Sequence, residues 1–296
     1  MTEKINNLAL STRKKIGLVL GGGSAKGLAH IGVIKAFEAA GLPIDFIAGT
    51  SMGALVGGWY AATRNIQFLE NIFLKVKQED LAKIIGGPDV DSSKLFKADN
   101  LSRLLKGVLG NKAVERCDIP FSAVATDAAT GQEEILSSGS LVEAIRASIA
   151  IPLIFKPVKV GDKLLMDGGI TNPVPADVAR EMGADFVIAV DVSSRWIKID
   201  EDLKFIKDPH ELIANAFAVI EYQVAKHILR KADIVLRPAV MTYKWLEFYR
   251  AKALIGAGYD EFERQLEDIR ERAGYPDLGP QTLGDRLKKF FLIDGF

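Results

Sequence analysis

Residues 44–53, Ile-Asp-Phe-Ile-Ala-Gly-Thr-Ser-Met-Gly, join a strand-like apolar run to a G-x-S-x-G turn, and a helix-like run over residues 54–60 follows. Strand, sharp turn and helix are the context in which a hydrolase exposes a nucleophilic serine, here Ser51. The flanking Gly49 and Gly53 let the backbone bend tightly and leave room for a substrate. The alternative interpretation of Ser51 is the N-cap of a helix in an ordinary strand-to-helix turn.

The alternation of strand and helix patterns extends in both directions from this turn. Residues 16–20 form a short apolar run, an amphipathic helix pattern leads to Gly41, residues 44–48 form the second run, and the next helix extends to about Thr63. Short apolar runs separated by single helices predict a parallel sheet with helices on its faces. We therefore expect a three-layer α/β/α fold with a mainly parallel central sheet.

The rest of the chain continues this pattern after one interruption. Residues 64–115 carry charged helix-like stretches at 68–77 and 100–109, and we hold a cap over the site and a peripheral helical layer to be equally favoured. The predicted strands that follow are 121–126, 134–136, 163–166, 186–190 and 234–236, and the predicted helices are 141–149, about 209–231, and a long charged one after residue 244.

Bulk composition excludes several classes of protein. The chain has 296 residues, of which 48% are hydrophobic, so it can bury a sizeable core. Its formal net charge of zero offers no electrostatic signature for nucleic acid. Cys117 is the one cysteine, which excludes an internal disulfide, and we expect a structural thiol in a reducing compartment. Residues 1–15 lack a signal-peptide pattern and no apolar run reaches membrane-spanning length, so we expect a soluble, cytoplasmic protein.

The second informative motif is the glycine-rich segment between the first strand and the first helix: Gly21, Gly22, Gly23, Ser24, Ala25, Lys26 and Gly27. Its amides can converge on an anion at a helix N-terminus. The residue order does not match a P-loop, and no acidic residue follows the second strand to bind a ribose. The loop therefore favours stabilisation of an oxyanion formed at Ser51. We expect Lys26 to be solvated, the alternative being an anionic partner.

A serine nucleophile needs a base, and the chain has three histidines. His30 lies within the first helix and is expected to be packed and hydrogen-bonded. His210 falls in the first turn of a helix after Asp208, and His227 lies mid-helix beside the apolar stripe that contains Ile220. None follows a late strand on a loop, so a Ser-His-Asp triad is disfavoured.

Asp167 is the better candidate for the base. It ends the strand at 163–166 and precedes Gly168 and Gly169, so we place it at the same carboxyl edge of the sheet as Ser51. Partial burial would raise its pKa and make it a stronger base. The alternative is an Asp-Gly turn without chemistry. Asp127 is also a strand-end carboxylate, and we expect it to hold a loop.

These motifs together resemble the patatin-like phospholipase family. The glycine-rich loop (Gly22 to Gly27), the serine turn (Gly49 to Gly53) and Asp-Gly-Gly (Asp167 to Gly169) match in order, and residues 147–152 resemble the stretch that precedes the aspartate. The resemblance covers residues 16–178 well. It implies a tail at 1–15, a catalytic core at 16–178 with a helical cap insertion at about 64–115, and a continuation of the same domain at 179–296.

The resemblance also implies an activity. Ser51 would be the nucleophile and Asp167 the base of a Ser-Asp dyad, with an oxyanion hole from backbone amides around Gly22 and Gly23 and no metal or cofactor. Ser24 stands where many members carry glycine. The substrate would be an acyl lipid or other ester. The alternatives are a non-catalytic acyl-lipid-binding regulator and, more weakly, a nucleotide-binding domain. For residues 287–293 we favour packing onto the core over a peripheral membrane anchor.

Overall fold

The computed structural model describes residues 13–79, 98–152, 154–193 and 209–275, without the side chains of 98–101 and 209–215. The segment 287–293, for which we weighed packing against a membrane anchor, lies outside these residues. The described strands number eight: β1 (Ile16–Leu20), β2 (Phe46–Thr50), β3 (Phe121–Asp127), β4 (Glu133–Leu136), β5 (Val158–Val160), β6 (Lys163–Asp167), β7 (Phe186–Val190) and β8 (Ile234–Leu236).

Helices lie on both sides of this sheet. In chain order they are α1 (Ala29–Ala40), α2 (Met52–Thr63), α3 (Ile66–Phe73), α4 (Ala98–Leu109), α5 (Leu141–Ser148), α6 (Ala176–Glu181), α7 (Pro209–Ile228) and α8 (Ala251–Ala273). Within the described ranges, no helix is long and apolar enough to cross a membrane.

The predicted fold class is confirmed, with three differences of detail. Strands β3, β2, β1, β7 and β8 are parallel, whereas β4, β5 and β6 run antiparallel to their neighbours. Strand β2 extends through Gly49 and Thr50, two residues beyond the predicted end. The sequence prediction missed β5 and α6, because a strand of three residues and a helix of six are too short for a periodic pattern.

Strand β3 has two partners on one of its edges. Strand β4 pairs with Ala123–Thr126 and so occupies one edge of β3. Both β2, which pairs as far as Val124, and β6, which pairs from Ala125 onward, overlap β4 along β3 and must therefore share the opposite edge. Because β2 is parallel and β6 antiparallel to β3, the carboxyl ends of β2 and β6 meet head to head.

This arrangement corrects our reason for placing Asp167 near Ser51. We expected Asp167 to lie at the carboxyl edge because its strand would run parallel to β2, but β6 runs in the opposite direction. The strand enters from beyond the end of β2, and Asp167, its last residue, pairs with Ala125. Thr50, the last residue of β2, pairs with the adjacent Val124.

The side chains of alternate strand residues enter two cores. On β1, Ile16, Leu18 and Leu20 contribute to the larger core, shared with helices that include α1, α2 and α8. Val19 faces the smaller core, which contains residues of α6 and of the C-terminal half of α7. The period of two along a buried parallel strand explains this division.

Helix α8 packs directly against the backbone of α1. A Cβ added at Gly32 or at Gly258 would overlap backbone atoms of the facing helix, at Ile255 and Ala29 respectively. Glycine at these two positions permits the close approach. The long charged stretch after residue 244 is therefore a packed helix.

Candidate active site

Ser51 occupies a strained turn between β2 and α2. Its φ and ψ are 54° and −120°, a backbone conformation that residues with a side chain rarely adopt and that costs on the order of 1–3 kcal/mol. The glycines of the motif allow α2 to approach the backbones of β1 and β2 closely. A Cβ at Gly49 would stand 2.5 Å from the Gly53 carbonyl oxygen, and one at Gly53 would overlap the carbonyl of Leu20. The first turn of α2 thus lies directly on β1 and β2.

The side chain of Ser51 is hydrogen-bonded to Asp167. The Ser51 hydroxyl donates to Asp167 Oδ2 over 2.7 Å, and the two residues are only 5% and 1% exposed. The other carboxylate oxygen of Asp167 accepts the Gly169 amide at 2.8 Å. A Cβ at Gly168 would overlap the carbonyl of Val124, so the chain can cross the end of β3 here only with glycine at that position.

The environment of Asp167 suits a general base. Burial raises the pKa of its carboxyl group to about 7, against the opposing effect of the hydrogen bonds from Ser51 and Gly169. A base is most effective when its pKa lies near the working pH. An Asp at its ordinary value of 3.8 would be a much weaker proton acceptor.

Ser148, the last residue of α5, fixes the backbone of the nucleophile. Its hydroxyl donates to the Val124 carbonyl at 2.6 Å and accepts the amide of Ser51 at 2.9 Å, and the side chain is completely buried. The residue falls inside the segment 147–152 that we associated with the family, but nothing in the sequence assigned it this contact.

The glycine-rich loop lies beside the serine, and its amides differ in their partners. The Gly22 amide donates to the Pro173 carbonyl at 2.8 Å, so it is not free to bind an oxyanion, which corrects our expectation for Gly22. The Ala25 amide donates to Trp245 and the Lys26 amide to Gly23. The amides of Gly23 and Ser24 have no acceptor among the described residues, and both residues are partly exposed.

Ser24, which stands where a glycine is common, adopts a backbone conformation that favours glycine. It adopts φ 50°, the left-handed region, and begins the 3-10 turn Ser24–Leu28. A Cβ at the preceding Gly23, with φ 150°, would overlap the Val192 side chain. Glycine is thus needed at 23, whereas serine is accommodated at 24.

The structure brings two charged side chains together at the loop, Lys26 within it and Glu221 from α7. Lys26 is 8% exposed, which contradicts the expected solvated lysine, and burial lowers its pKa while Glu221 opposes that shift. Glu221 lies on α7, and its Oε1 is 3.1 Å from the position a Cβ on Gly22 would take. Burial, together with the charge of Asp167, raises the pKa of Glu221 to about 8.

The orientation of α7 explains why the sequence did not reveal Glu221. We expected Ile220 to be in the buried stripe, but it is 47% exposed, and Ala225 and Leu229 are buried instead. The helix is rotated so that its half-buried Glu221 faces the sheet. Glutamate is common on the exposed face of an amphipathic helix, so the sequence did not indicate that Glu221 faces the sheet.

Neither His30 nor His227, whose side chains the structure describes, hydrogen-bonds to Ser51. His30 is completely buried, as expected, and its Nε2–H donates to the Gly21 carbonyl at 2.7 Å. Burial lowers the pKa of His30 to about 4, so the ring is neutral near pH 7. His227 is exposed on α7, and the side chain of His210 lies outside the described residues.

Two further residues have the structural roles that we expected. Asp127 Oδ1 accepts the amides of Ala129 and Thr130 at 2.8 and 3.3 Å and so holds the loop after β3. Cys117 is half-buried, and burial raises the pKa of its thiol to about 11, which leaves it unreactive. Among the residues described, no three His, Cys, Asp or Glu side chains are grouped as metal ligands would be.

Sequence comparisons find similar proteins. An uncharacterised NTE family protein of Mycobacterium tuberculosis is 38% identical over 183 residues, covering 62% of this chain and 50% of the relative. The human patatin-like phospholipase domain-containing protein 6 is 38% identical over 279 residues, covering 84% of this chain and 20% of that protein. The chain thus spans half or less of these relatives.

Among solved structures, VipD from Legionella pneumophila aligns with a TM-score of 0.48 and 15% identity, covering 86% of this chain and 67% of that one. The sequence pattern of the patatin-like phospholipase family matches residues 18–180, which include the glycine-rich loop, the serine turn and Asp-Gly-Gly. The chain belongs to the patatin-like phospholipase family.

Proposed function

We propose that the protein is a serine lipid acyl hydrolase in which Ser51 is the nucleophile and Asp167 the general base. The observation that carries the proposal is the 2.7 Å hydrogen bond from the Ser51 hydroxyl to the buried Asp167 carboxylate. A nucleophile and base within hydrogen-bond reach, on a strained turn at the ends of two strands, are the arrangement required for acyl transfer. Family membership supports an acyl lipid or ester as the substrate.

The reaction would proceed in two steps. Asp167 accepts the Ser51 proton as the hydroxyl oxygen attacks the ester carbonyl, and it then protonates the departing alcohol, leaving an acyl-enzyme. Water attacks the acyl-enzyme with Asp167 again as base, and the carboxylic acid is released. The amides of Gly23 and Ser24 are available to bind the oxyanion of each tetrahedral intermediate.

The division of the chain is part of the same proposal. Residues 16–178 would be the catalytic core, 179–296 its continuation, and the insertion at about 64–115 a cap over the acyl site. Helices α3 and α4 are the described parts of that insertion. Peripheral contact with a membrane and a cytoplasmic location remain predictions from sequence.

The decisive experiment compares wild type, Ser51→Ala and Asp167→Asn. A fluorophosphonate probe should label wild type at Ser51 and neither variant, and hydrolysis of a panel of phospholipids, lysophospholipids and simple esters should be lost in both. Equal hydrolysis in all three proteins would contradict the dyad. Lipid binding that survives Ser51→Ala, with no turnover in wild type, would instead support a non-catalytic acyl-lipid-binding protein.

A further inference from the structure

A second carboxyl group borders the site, and the mechanism proposed above does not use it. Glu221 projects from α7 toward the glycine-rich loop and the Asp-Gly-Gly turn. The position that a Cβ on Gly22 would occupy lies 3.1 Å from Glu221 Oε1 and 3.6 Å from the Cβ of Ser51. The carboxyl group and the nucleophile therefore both border the small space beside Gly22.

A second measurement places the same carboxyl group beside the base. The position of a Cβ on Gly169 would overlap Glu221 Oε1 and would lie 3.1 Å from Asp167 Oδ1. The two glycines leave open the space that the Glu221 carboxyl group fills. Asp167, Ser51 and Glu221 thus border one small region, next to the hydroxyl that would attack the ester carbonyl.

We propose that Glu221 is a third functional side chain of the acyl site, a carboxyl group that must keep its proton while Ser51 is acylated. The inference rests on the Ser51–Asp167 mechanism and adds a requirement to it. An ionised Glu221 would add a second negative charge beside ionised Asp167. It would also face the region in which the oxyanion forms, and like charges within several ångströms in a partly dry site repel strongly.

The charges and hydrogen bonds around the two carboxyl groups decide the order in which they lose their protons. Asp167 faces it from the end of β6, Asp191 from the end of β7, and Lys26 from the 3-10 turn. Lys26 favours ionisation of Glu221, whereas both aspartates oppose it, and Asp191 is itself paired with Arg237 at 3.4 Å. Burial, together with the Asp167 charge, raises the pKa of Glu221. The Asp167 carboxylate accepts two hydrogen bonds that stabilise its ionised form, so Asp167 ionises first and the pair retains one proton on Glu221.

The consequence is a bell-shaped pH dependence of the acylation rate. The rate should rise as Asp167 ionises near pH 7 and fall as Glu221 ionises near pH 8. The fall in rate should be on the order of tenfold or more, because the added negative charge of Glu221 repels the oxyanion that forms a few ångströms away.

The test measures the second-order rate constant for fluorophosphonate labelling of Ser51 between pH 5.5 and 9.5. In this reaction the Ser51 oxygen forms a bond to phosphorus, fluoride leaves, and Asp167 takes the hydroxyl proton. Glu221→Gln should keep the rise near pH 7 and lose the alkaline fall, because the amide cannot ionise. Glu221→Ala, a second neutral replacement, should lose the fall as well.

The matched control is Glu267→Gln, which removes an exposed carboxylate from α8. Its labelling rate constant should show the same bell-shaped pH dependence as that of wild type. An alkaline fall in folded Glu221→Gln equal to that of wild type would overturn the role of Glu221. Labelling of Ser51→Ala or of Asp167→Asn at the wild-type rate would instead overturn the underlying mechanism, so the two failures are distinguishable.

Discussion

Thr50 and Asp167 lie opposite adjacent residues of β3, since Thr50 pairs with Val124 and Asp167 with Ala125. The two strands that carry them share one edge of β3 and end against each other. Ser51, which follows Thr50, therefore reaches the Asp167 carboxylate through a side chain with only one carbon. The register of the sheet, and not the length of a flexible side chain, sets the distance between nucleophile and base.

The first prediction follows from this register. Asp167→Glu keeps a carboxylate but adds a methylene group at a residue that is 1% exposed. The longer side chain must either overpack the site or displace the carboxylate from the Ser51 hydroxyl, so fluorophosphonate labelling should fall by about 100-fold or more. Labelling of a folded Asp167→Glu variant at the wild-type rate would show that the strand register does not control the contact.

The second prediction concerns stability. The pKa of Asp167 is about 7 in the folded state against an ordinary 3.8, so the folded state holds its proton more tightly than the unfolded state does. The resulting stabilisation is complete below pH 3.8 and is lost as the pH rises to 7. Asp167→Asn cannot ionise, and it should therefore raise the free energy of unfolding at pH 8 by roughly 1–3 kcal/mol.

Urea unfolding at pH 8 and at pH 5 measures this effect. The gain from Asp167→Asn should shrink at the lower pH, where wild-type Asp167 is mostly protonated. The control, Asp268→Asn on the exposed surface of α8, should change stability by no more than about 0.5 kcal/mol at either pH. A destabilised Asp167→Asn at pH 8 would mean that the buried carboxylate is a net stabilising group.

The third prediction concerns Ser148, which acts through Ser51 as a positioning residue. Ser148→Ala leaves the Ser51 amide and the Val124 carbonyl without their shared partner, and the strained serine turn loses a support. Labelling of Ser51 should slow by about tenfold, and stability should fall by roughly 1–3 kcal/mol.

Ser140→Ala provides the comparison for this effect, because Ser140 caps the other end of the same helix through the Glu143 amide at 3.3 Å. Its loss should cost about 1 kcal/mol of stability and leave the labelling rate unchanged. If both variants label at the same rate, well below their unfolding temperatures, Ser148 has no positioning role.

The fourth prediction uses two glycines of α8. A Cβ at Gly258 would overlap the backbone of Ala29, whereas one at Gly256 would meet nothing within 4 Å. Gly256→Ala should stabilise the protein by about 0.5–1 kcal/mol through helix propensity alone. Gly258→Ala should destabilise it by several kcal/mol, because α1 and α8 must separate. Thermal unfolding measures both, and equal shifts would contradict the close approach of the two helices.

The sequence by itself determined the fold class and the candidate nucleophile and base. Apolar runs that alternate with amphipathic helices have a period that reports local structure, so β1, α1 and α2 could be predicted almost to the residue. The motifs around Ser51 and Asp167 depend on glycines at close backbone contacts, such as Gly53 against Leu20 and Gly168 against Val124. Because only glycine fits at such contacts, they can be recognised in the sequence as glycine motifs.

Only the tertiary structure decided how the site is assembled. The direction of β6, the commitment of the Gly22 amide to Pro173 and the contact of Ser148 with Ser51 depend on pairings between distant segments, which no local pattern encodes. The same is true of Glu221, whose position depends on how α7 is rotated against the sheet, and of Lys26, whose burial depends on the elements packed around its turn. Local periodicity specifies elements, whereas register and rotation arise from packing, and it is packing that brings the two carboxyl groups to the serine.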